Sequence, residues 1–131
     1  MPDLVDYKTL KRPAKPNSAL LAPAGFTPAS IDGAAPVYDA PPGELYLRLL
    51  RLIGDRGDWE LGMQDAGRLH ANFVAVTRLL RFKDDVDVIM VPAGQPGKST
   101  FAAYSRSRVG YSDLGANRKR LDALAAALAA P

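Results

Sequence analysis

Two runs of residues with strand-like composition, DDVDVIMV (residues 84–91) and STFAAYSRSR (residues 99–108), flank the turn-forming segment PAGQPG at residues 92–97. Valine, isoleucine, threonine and aromatic residues recur in these runs, which is typical of strands bounded by Pro and Gly turns. Six residues are too few for the crossover that parallel strands need. The stretch therefore predicts an antiparallel hairpin.

The residues on either side of this hairpin predict two more strands and two helices. Trp59, Leu61 and Met63 alternate with Glu60, Gly62 and Gln64, and DAG at 65–67 then turns the chain into residues 68–78. Leucines at helical spacing after PPGE (41–44) predict a helix that ends at Gly54. A second helix is predicted from about Leu114 to Ala129, with Ser112 or Asp113 as its N-cap.

The first 43 residues have a different composition from the rest of the chain. Eight of the 11 prolines lie before residue 43, which excludes a long helix there. This segment nevertheless contains many apolar residues, so we expect an extended arm that wraps the core. The sequence predicts an α+β fold with a Pro-rich arm over residues 1–43. Over residues 44–131 we predict a two-layer domain in which a four-stranded antiparallel meander packs with two helices.

Composition excludes several classes of site. The 131 residues include no cysteine and one histidine, His70, so disulfides, thiolate nucleophiles and zinc sites with paired histidines are excluded. PAGQPGKST (92–100) resembles a phosphate-binding loop only at its end, because Pro92 stands where the first glycine belongs and a strand follows. We expect no cofactor and no metal site, and we interpret Asp84, Asp85 and Asp87 as ion-pair partners of nearby arginines.

Residues 104–120, YSRSRVGYSDLGANRKR, contain the densest group of polar side chains. Tyr104, Arg106 and Arg108 should share one face of a strand that leads into the N-terminus of a helix, where anions are favoured. The predicted ligand-binding residues are Arg78, Tyr104, Arg106, Arg108, Ser112, Asp113, Asn117 and Arg118. The alternative interpretation is structural, with Asp113 capping the helix and the three aspartates neutralising the arginines.

The segment 98–131 carries a net charge of +4, which raises the question of a nucleic-acid partner. Arg118, Lys119 and Arg120 are consecutive, so on a helix they point in three directions and cannot form one stripe. We therefore do not expect nucleic acid to be a partner.

Three segments of the chain resemble a known family. SRSRVGYSDLGANRKR (105–120) resembles the C-terminal signature of the bacterial and plastid family called domain of unknown function 1499, while RFKDD (81–85) is similar to its central patch. KPN (15–17) is similar to the stretch that precedes its domain. Some relatives carry a cysteine near that stretch, where Ser18 stands here. The resemblance implies no activity, because the family has none assigned.

Two functional hypotheses remain open at this point. The first is a noncatalytic module that binds a small anionic or amphipathic ligand at the arginine-rich corner between strand and helix. The alternative is a cofactor-independent lyase, isomerase or hydrolase in which an arginine stabilises negative charge. Its candidate acid–base residues are His70, Asp84, Asp85, Tyr104 and Asp113.

Location is predicted from the absence of targeting signals. The sequence has no signal peptide and no membrane-spanning run, so we expect a cytoplasmic protein. Many relatives have an apolar helix before the region equivalent to Val5-Asp6-Tyr7. On the sequence alone, we expect membrane association or a periplasmic location only through such an anchor.

Overall fold

The computed structural model describes residues 2–130 and has an α+β architecture built on one antiparallel sheet of five strands. The strands are β1 (Ser18–Leu21), β2 (Trp59–Asp65), β3 (His70–Val76), β4 (Lys83–Pro92) and β5 (Ser99–Ser107). The helices are α1 (Pro42–Asp55) and α2 (Ala116–Leu128), and a short 3-10 helix, Ala66–Arg68, connects β2 to β3. The spatial order of the strands is β1-β5-β4-β3-β2. The predicted meander is therefore present as β2 to β5.

The prediction of four strands is wrong by one, because the N-terminal arm contributes β1. Its residues pair antiparallel with β5, from Ser18 opposite Arg106 to Leu21 opposite Ala103. This four-residue strand lies between Pro16 and Pro23 and has no alternating pattern of its own. Its strand conformation depends on pairing with residues more than eighty positions away, which local sequence does not reveal.

The main core lies between the helices and one face of the sheet. Helix α1 buries Leu45, Tyr46, Leu49 and Ile53, as the leucine spacing predicts. Helix α2 buries Leu121, Leu124 and Leu128 along with Asn117. These side chains pack against alternate strand residues that include Phe73, Val86, Val88, Phe101 and Ala103.

The predicted start of α2 at Leu114 is wrong, because the helix begins at Ala116. Leu114 has a φ of 53° and a side chain that is 90% exposed. The carboxylate of Asp113 accepts hydrogen bonds from the amides of Gly115 at 2.8 Å and Asn117 at 3.3 Å. The N-cap is Gly115 and not the predicted Ser112 or Asp113, although the Asp113 carboxylate satisfies amides at this helix end. Leu114 is left outside the helix.

The arm covers the opposite face of the sheet. Tyr7 and Leu20 pack there with Ala102 and Tyr104, and Phe26 and Ile31 lie against the same cluster. The two faces of β5 are consequently both buried, one beneath the helices and one beneath the arm. Neither helix in residues 2–130 has the length and apolar character needed to cross a bilayer.

Candidate functional site

The end of β5 and the start of α2 are joined by hydrogen bonds that converge on Asn117, which is fully buried. Its amide nitrogen donates to the Asn17 carbonyl at 3.0 Å, to Ser107 Oγ at 3.0 Å and to the Asp113 carboxylate at 2.7 Å. Its side-chain oxygen accepts from Ser105 Oγ at 2.6 Å. One amide therefore joins the arm, β5 and α2.

An ion pair extends this network to β4. The guanidinium of Arg120 lies 2.9 Å from the Asp84 carboxylate, and it also donates to Ser105 Oγ and to the side-chain oxygen of Asn117. Burial raises the pKa of Asp84 above its ordinary value, and the attraction of Arg120 opposes that rise. Asp84 lies opposite Ser107 in the sheet, so both side chains point towards α2.

Asn17 links the arm to the same hydrogen-bonded residues. Its side-chain nitrogen donates to the Gly110 carbonyl at 3.1 Å, and its own carbonyl accepts from the amide of Ser107 at 3.0 Å. All three segments that carry the family resemblance, at residues 15–17, 81–85 and 105–120, thus contribute to one hydrogen-bonded group. We call this group the corner network; its residues are Asn17, Asp84, Ser105, Ser107, Asp113, Asn117 and Arg120.

The predicted arginine cluster is not assembled around one space. Arg108 makes a two-point contact with the Asp85 carboxylate at 2.9 and 2.8 Å, and this hydrogen bonding raises its pKa further. Arg118 lies near β1, where it bonds to Asp122 at 3.0 Å and to the carbonyl of Asp32 at 2.9 Å.

Tyr104 and Arg106 lie on the face of the sheet that the arm covers. The Arg106 guanidinium is 5.1 Å from the centre of the Tyr104 ring, and Tyr104 is only 3% exposed. The predicted ligand-binding set is therefore divided between two faces and one edge of the sheet. Ser112, Asp113, Asn117 and Arg78 remain on the helix side or in the loops near it.

The one histidine and Asp87 hold the arm against the sheet. His70 Nε2 lies 2.7 Å from Asp87 Oδ1, and both side chains are 1% exposed. The Tyr7 hydroxyl donates to the same carboxylate at 2.7 Å, and the Val5 amide donates to it at 2.9 Å. Burial, with the charge of Asp87, raises the pKa of Tyr7 well above its ordinary value.

This arrangement corrects one sequence interpretation. Asp84 and Asp85 do pair with arginines, but Asp87 bonds to His70 and Tyr7, because the arm brings Tyr7 over the sheet. Of the predicted acid–base candidates, Asp84 and Asp113 line a common cleft.

That cleft has mainly apolar walls and a volume of about 280 Å³. It lies between the loop that joins β3 to β4 and the loop that joins β5 to α2. We call it the apolar cleft; its walls include Thr77, Leu79, Leu80, Phe82, Val109, Ser112, Leu114 and Ala116, with Asp84, Ser107, Gly110 and Asp113.

A second cleft of about 280 Å³ adjoins the first and is lined by cations. The two clefts share Thr77 and Ala116. We call the second one the basic cleft; its cations are Arg56, Arg78, Lys119 and Arg120.

The cations of the basic cleft differ in their partners. Arg56 pairs with Asp58 at 2.9 Å and lies over the Trp59 ring, while Arg120 belongs to the corner network. Within residues 2–130, neither Arg78 nor Lys119 forms an ion pair. These two cations are the ones available to an anion.

The ligand-binding residues predicted from the sequence include Arg78, but they do not include Lys119 or the leucines that line the apolar cleft. Lys119 lies between Ala116 and Ala123 at helical spacing, and such small neighbours leave a groove beside a lysine. The segment TRLLRFK (77–83) places three apolar side chains between two strands, where no core face receives them. Both signals are visible in the sequence.

A wider cleft of about 900 Å³ is lined by residues 8–13 and 28–30, none of which is a predicted site residue. In the described part of the chain, no group of three or more His, Cys, Asp or Glu side chains is placed to hold a metal ion.

The family model described as "Protein of unknown function (DUF1499)" matches residues 10–128. The chain belongs to this family. The match includes all the strands and helices of the DUF1499 fold described above, together with the whole corner network. Among curated proteins, none matches the chain in sequence. Because the family description assigns no activity, the geometry of the clefts is the basis for a functional proposal.

Proposed function

We propose that this protein is a noncatalytic module that binds a small amphipathic anion. The apolar part of the ligand occupies the apolar cleft, and its anionic group lies between Arg78 and Lys119 in the basic cleft. The observation that carries the proposal is the junction of the two clefts at Thr77 and Ala116. A ligand with an apolar end and a charged end can span this junction.

The chemistry of each cleft favours one orientation of the ligand. Burial of an alkyl chain contributes about 0.8 kcal/mol per methylene, so the leucines of the apolar cleft favour the hydrocarbon end. Arg78 offers a planar, two-point donor to a carboxylate or phosphate, and Lys119 adds a compact positive charge. Asp113 lines the apolar cleft and repels a second anion.

Calorimetric and thermal unfolding measurements with dodecyl phosphate, kept below its micelle concentration, test this proposal. At a hundredfold excess over the dissociation constant we expect about 2.7 kcal/mol of stabilisation. Inorganic phosphate and dodecyltrimethylammonium serve as ligand controls and should bind much more weakly, since each lacks one of the two required ends.

Charge-neutralising variants locate the binding site. The double variant Arg78→Gln, Lys119→Gln should lose most of the affinity for dodecyl phosphate. The matched control Lys15→Gln, Arg51→Gln removes two cations that are exposed and lie outside both clefts, so it should bind normally. Equal loss in both variants, or no binding by the wild type, would contradict the proposal.

A second candidate function is supported by Asp84, whose pKa is raised and which lines the apolar cleft beside Asp113. A carboxyl group in such a position could serve as the acid or base of a cofactor-independent lyase, isomerase or hydrolase. Its ion pair with Arg120 favours the structural role and the binding module. Mass spectrometry of bound ligands after incubation distinguishes the two: conversion that is lost in Asp84→Asn supports an enzyme, and unchanged ligand supports the module.

A further inference from the structure

The end of the molecule that carries the clefts also exposes an unusual number of large apolar side chains. Leu79 is 94% exposed and Leu114 is 90% exposed. Leu80, Phe82, Val109 and Tyr111 lie in the same two loops and are exposed as well. Scattered exposed leucines are normal, but a contiguous group around a cleft marks an interaction surface.

The two loops are neighbours in space. Both line the apolar cleft, and the amide of Arg108 donates to the carbonyl of Lys83 at 3.3 Å where the loops leave the sheet. We call residues 77–82 and 109–114 the docking loops. Their apolar side chains therefore belong to one surface at one end of the sheet.

The first docking loop is closed by its own hydrogen bonds. Thr77 and Phe82 bond through backbone atoms at 2.8 Å, the Thr77 hydroxyl accepts from the Phe82 amide at 2.8 Å, and the Arg81 amide donates to the Thr77 carbonyl at 3.1 Å. Leu79 and Leu80 lie inside this closed turn and remain exposed. The turn thus presents them outward without support from a core.

Backbone conformation also marks the two loops. Arg81 has a φ of 56° and Leu114 a φ of 53°, which are unfavourable for residues with side chains. Such conformations persist where the surrounding structure enforces them, and they are frequent at functional sites. One lies in each docking loop.

Positive charge borders the apolar surface. Residues 77–83 contain Arg78, Arg81 and Lys83 and no acidic residue. All three are exposed. In this segment the leucines are flanked by cations, while the second docking loop contributes no cation and one acidic residue, Asp113. Leucines beside cations and the aromatic rings of Phe82 and Tyr111 match the chemistry of a bilayer surface with anionic headgroups.

We propose that the docking loops insert into the surface of a bilayer that contains anionic lipids, with Leu79, Leu80 and Leu114 entering the acyl region. The inference rests on the proposed function in one respect, since it names an anionic membrane lipid as the amphipathic anion of the clefts. Charge complementarity favours this partner over a second copy of the chain, because two such basic rims would repel each other.

Sedimentation of the full chain with vesicles tests the docking. Vesicles of phosphatidylcholine mixed with phosphatidylglycerol should retain the protein, and vesicles of phosphatidylcholine alone should retain much less. The double variant Leu79→Ser, Leu80→Ser should weaken partition on the order of tenfold per leucine. Its matched control is Val37→Ser, Leu47→Ser, which removes two exposed apolar side chains elsewhere and should bind like the wild type.

Neutralising the rim tests the electrostatic part of the docking. Arg81→Gln, Lys83→Gln should lower binding to the anionic vesicles by about fivefold per residue and should leave the weak binding to neutral vesicles unchanged. Because all these side chains are exposed, we expect each variant to remain folded, and thermal unfolding of each variant verifies this.

Three results would overturn the docking. The first is that anionic vesicles do not sediment the protein. The second is that the wild type and the double variant Leu79→Ser, Leu80→Ser sediment equally. The third is that light scattering shows a dimer that this double variant dissociates, while vesicles retain neither the wild type nor the variant. Binding of dodecyl phosphate without vesicle binding would leave the proposed function standing and refute the docking. Vesicle binding without dodecyl phosphate binding would refute the proposed function and leave the docking standing.

Discussion

Replacement of Asn117 by alanine tests whether the family's signature segments build a structural element. The substitution removes a buried amide that bonds to Asn17, Ser105, Ser107, Asp113 and Arg120. The expected loss of stability is smaller than the contribution of five hydrogen bonds.

Several partners keep other bonds or regain water. The Asn17 carbonyl still accepts from the amide of Ser107, and Arg120 still bonds to Asp84 and Ser105. Asp113 is only partly buried, so water can replace the amide there. Two hydrogen bonds, those with Ser105 and Ser107, are then lost without replacement, at about 1–1.5 kcal/mol each. We expect a destabilisation of about 2–3 kcal/mol.

Equilibrium unfolding in urea measures this change as a lower midpoint at an unchanged slope. The matched control is Lys119→Ala, at the exposed helical position two residues away, which should change stability by less than about 0.5 kcal/mol. If Asn117→Ala lies within about 1 kcal/mol of that control, the corner network contributes little to stability and the reasoning fails.

Three further predictions concern the arm, β1 and Asp84. Tyr7→Phe leaves the buried Asp87 without its 2.7 Å hydroxyl bond, so it should cost about 2 kcal/mol and speed hydrogen exchange in residues 2–10, which Lys8→Ala should not do. Leu20→Ala, at a fully buried position of β1, should cost about 2–5 kcal/mol in thermal unfolding, and a smaller cost would show that β1 packs loosely. Because burial raises the pKa of Asp84, its contribution to stability is fully present below its unfolded pKa and is lost as pH rises through its folded pKa. The free energy of unfolding of the wild type, relative to that of Asp84→Asn, should therefore increase as pH falls. A difference between the two proteins that stays constant with pH would contradict the raised pKa of Asp84.

Local periodicity was sufficient for most of the fold. The leucine spacing of α1 and the strand patterns of β4 and β5 depend on residues within ten positions of each other, so they are visible in the sequence. Alternation along β5 also placed Ser105 and Ser107 on the face opposite Tyr104 and Arg106, which the structure confirms.

Alternation along β5 did not show which of the arginines share a common space. Arg106 shares its face with Tyr104, and that face is covered by an arm whose position depends on Tyr7 and Leu20. Contacts over eighty or more residues decide which face receives the arm. Sequence spacing therefore located the charges along the chain without showing which ones reach a common cleft.

The corner network and the docking loops lie at the same end of the sheet. Asp84, Ser107 and Asp113 belong to the network and also line the apolar cleft, so the bonds that stabilise the β5–α2 connection also fix the cleft wall. The exposed leucines take no part in those bonds. Substitutions in the network should therefore lower stability and binding together, whereas substitutions at Leu79 or Leu80 should lower binding alone. Leu79 and Leu80 lie outside the segments that carry the family resemblance, whereas every residue of the corner network lies within them, so these segments specify the β5–α2 connection more directly than they specify the two leucines.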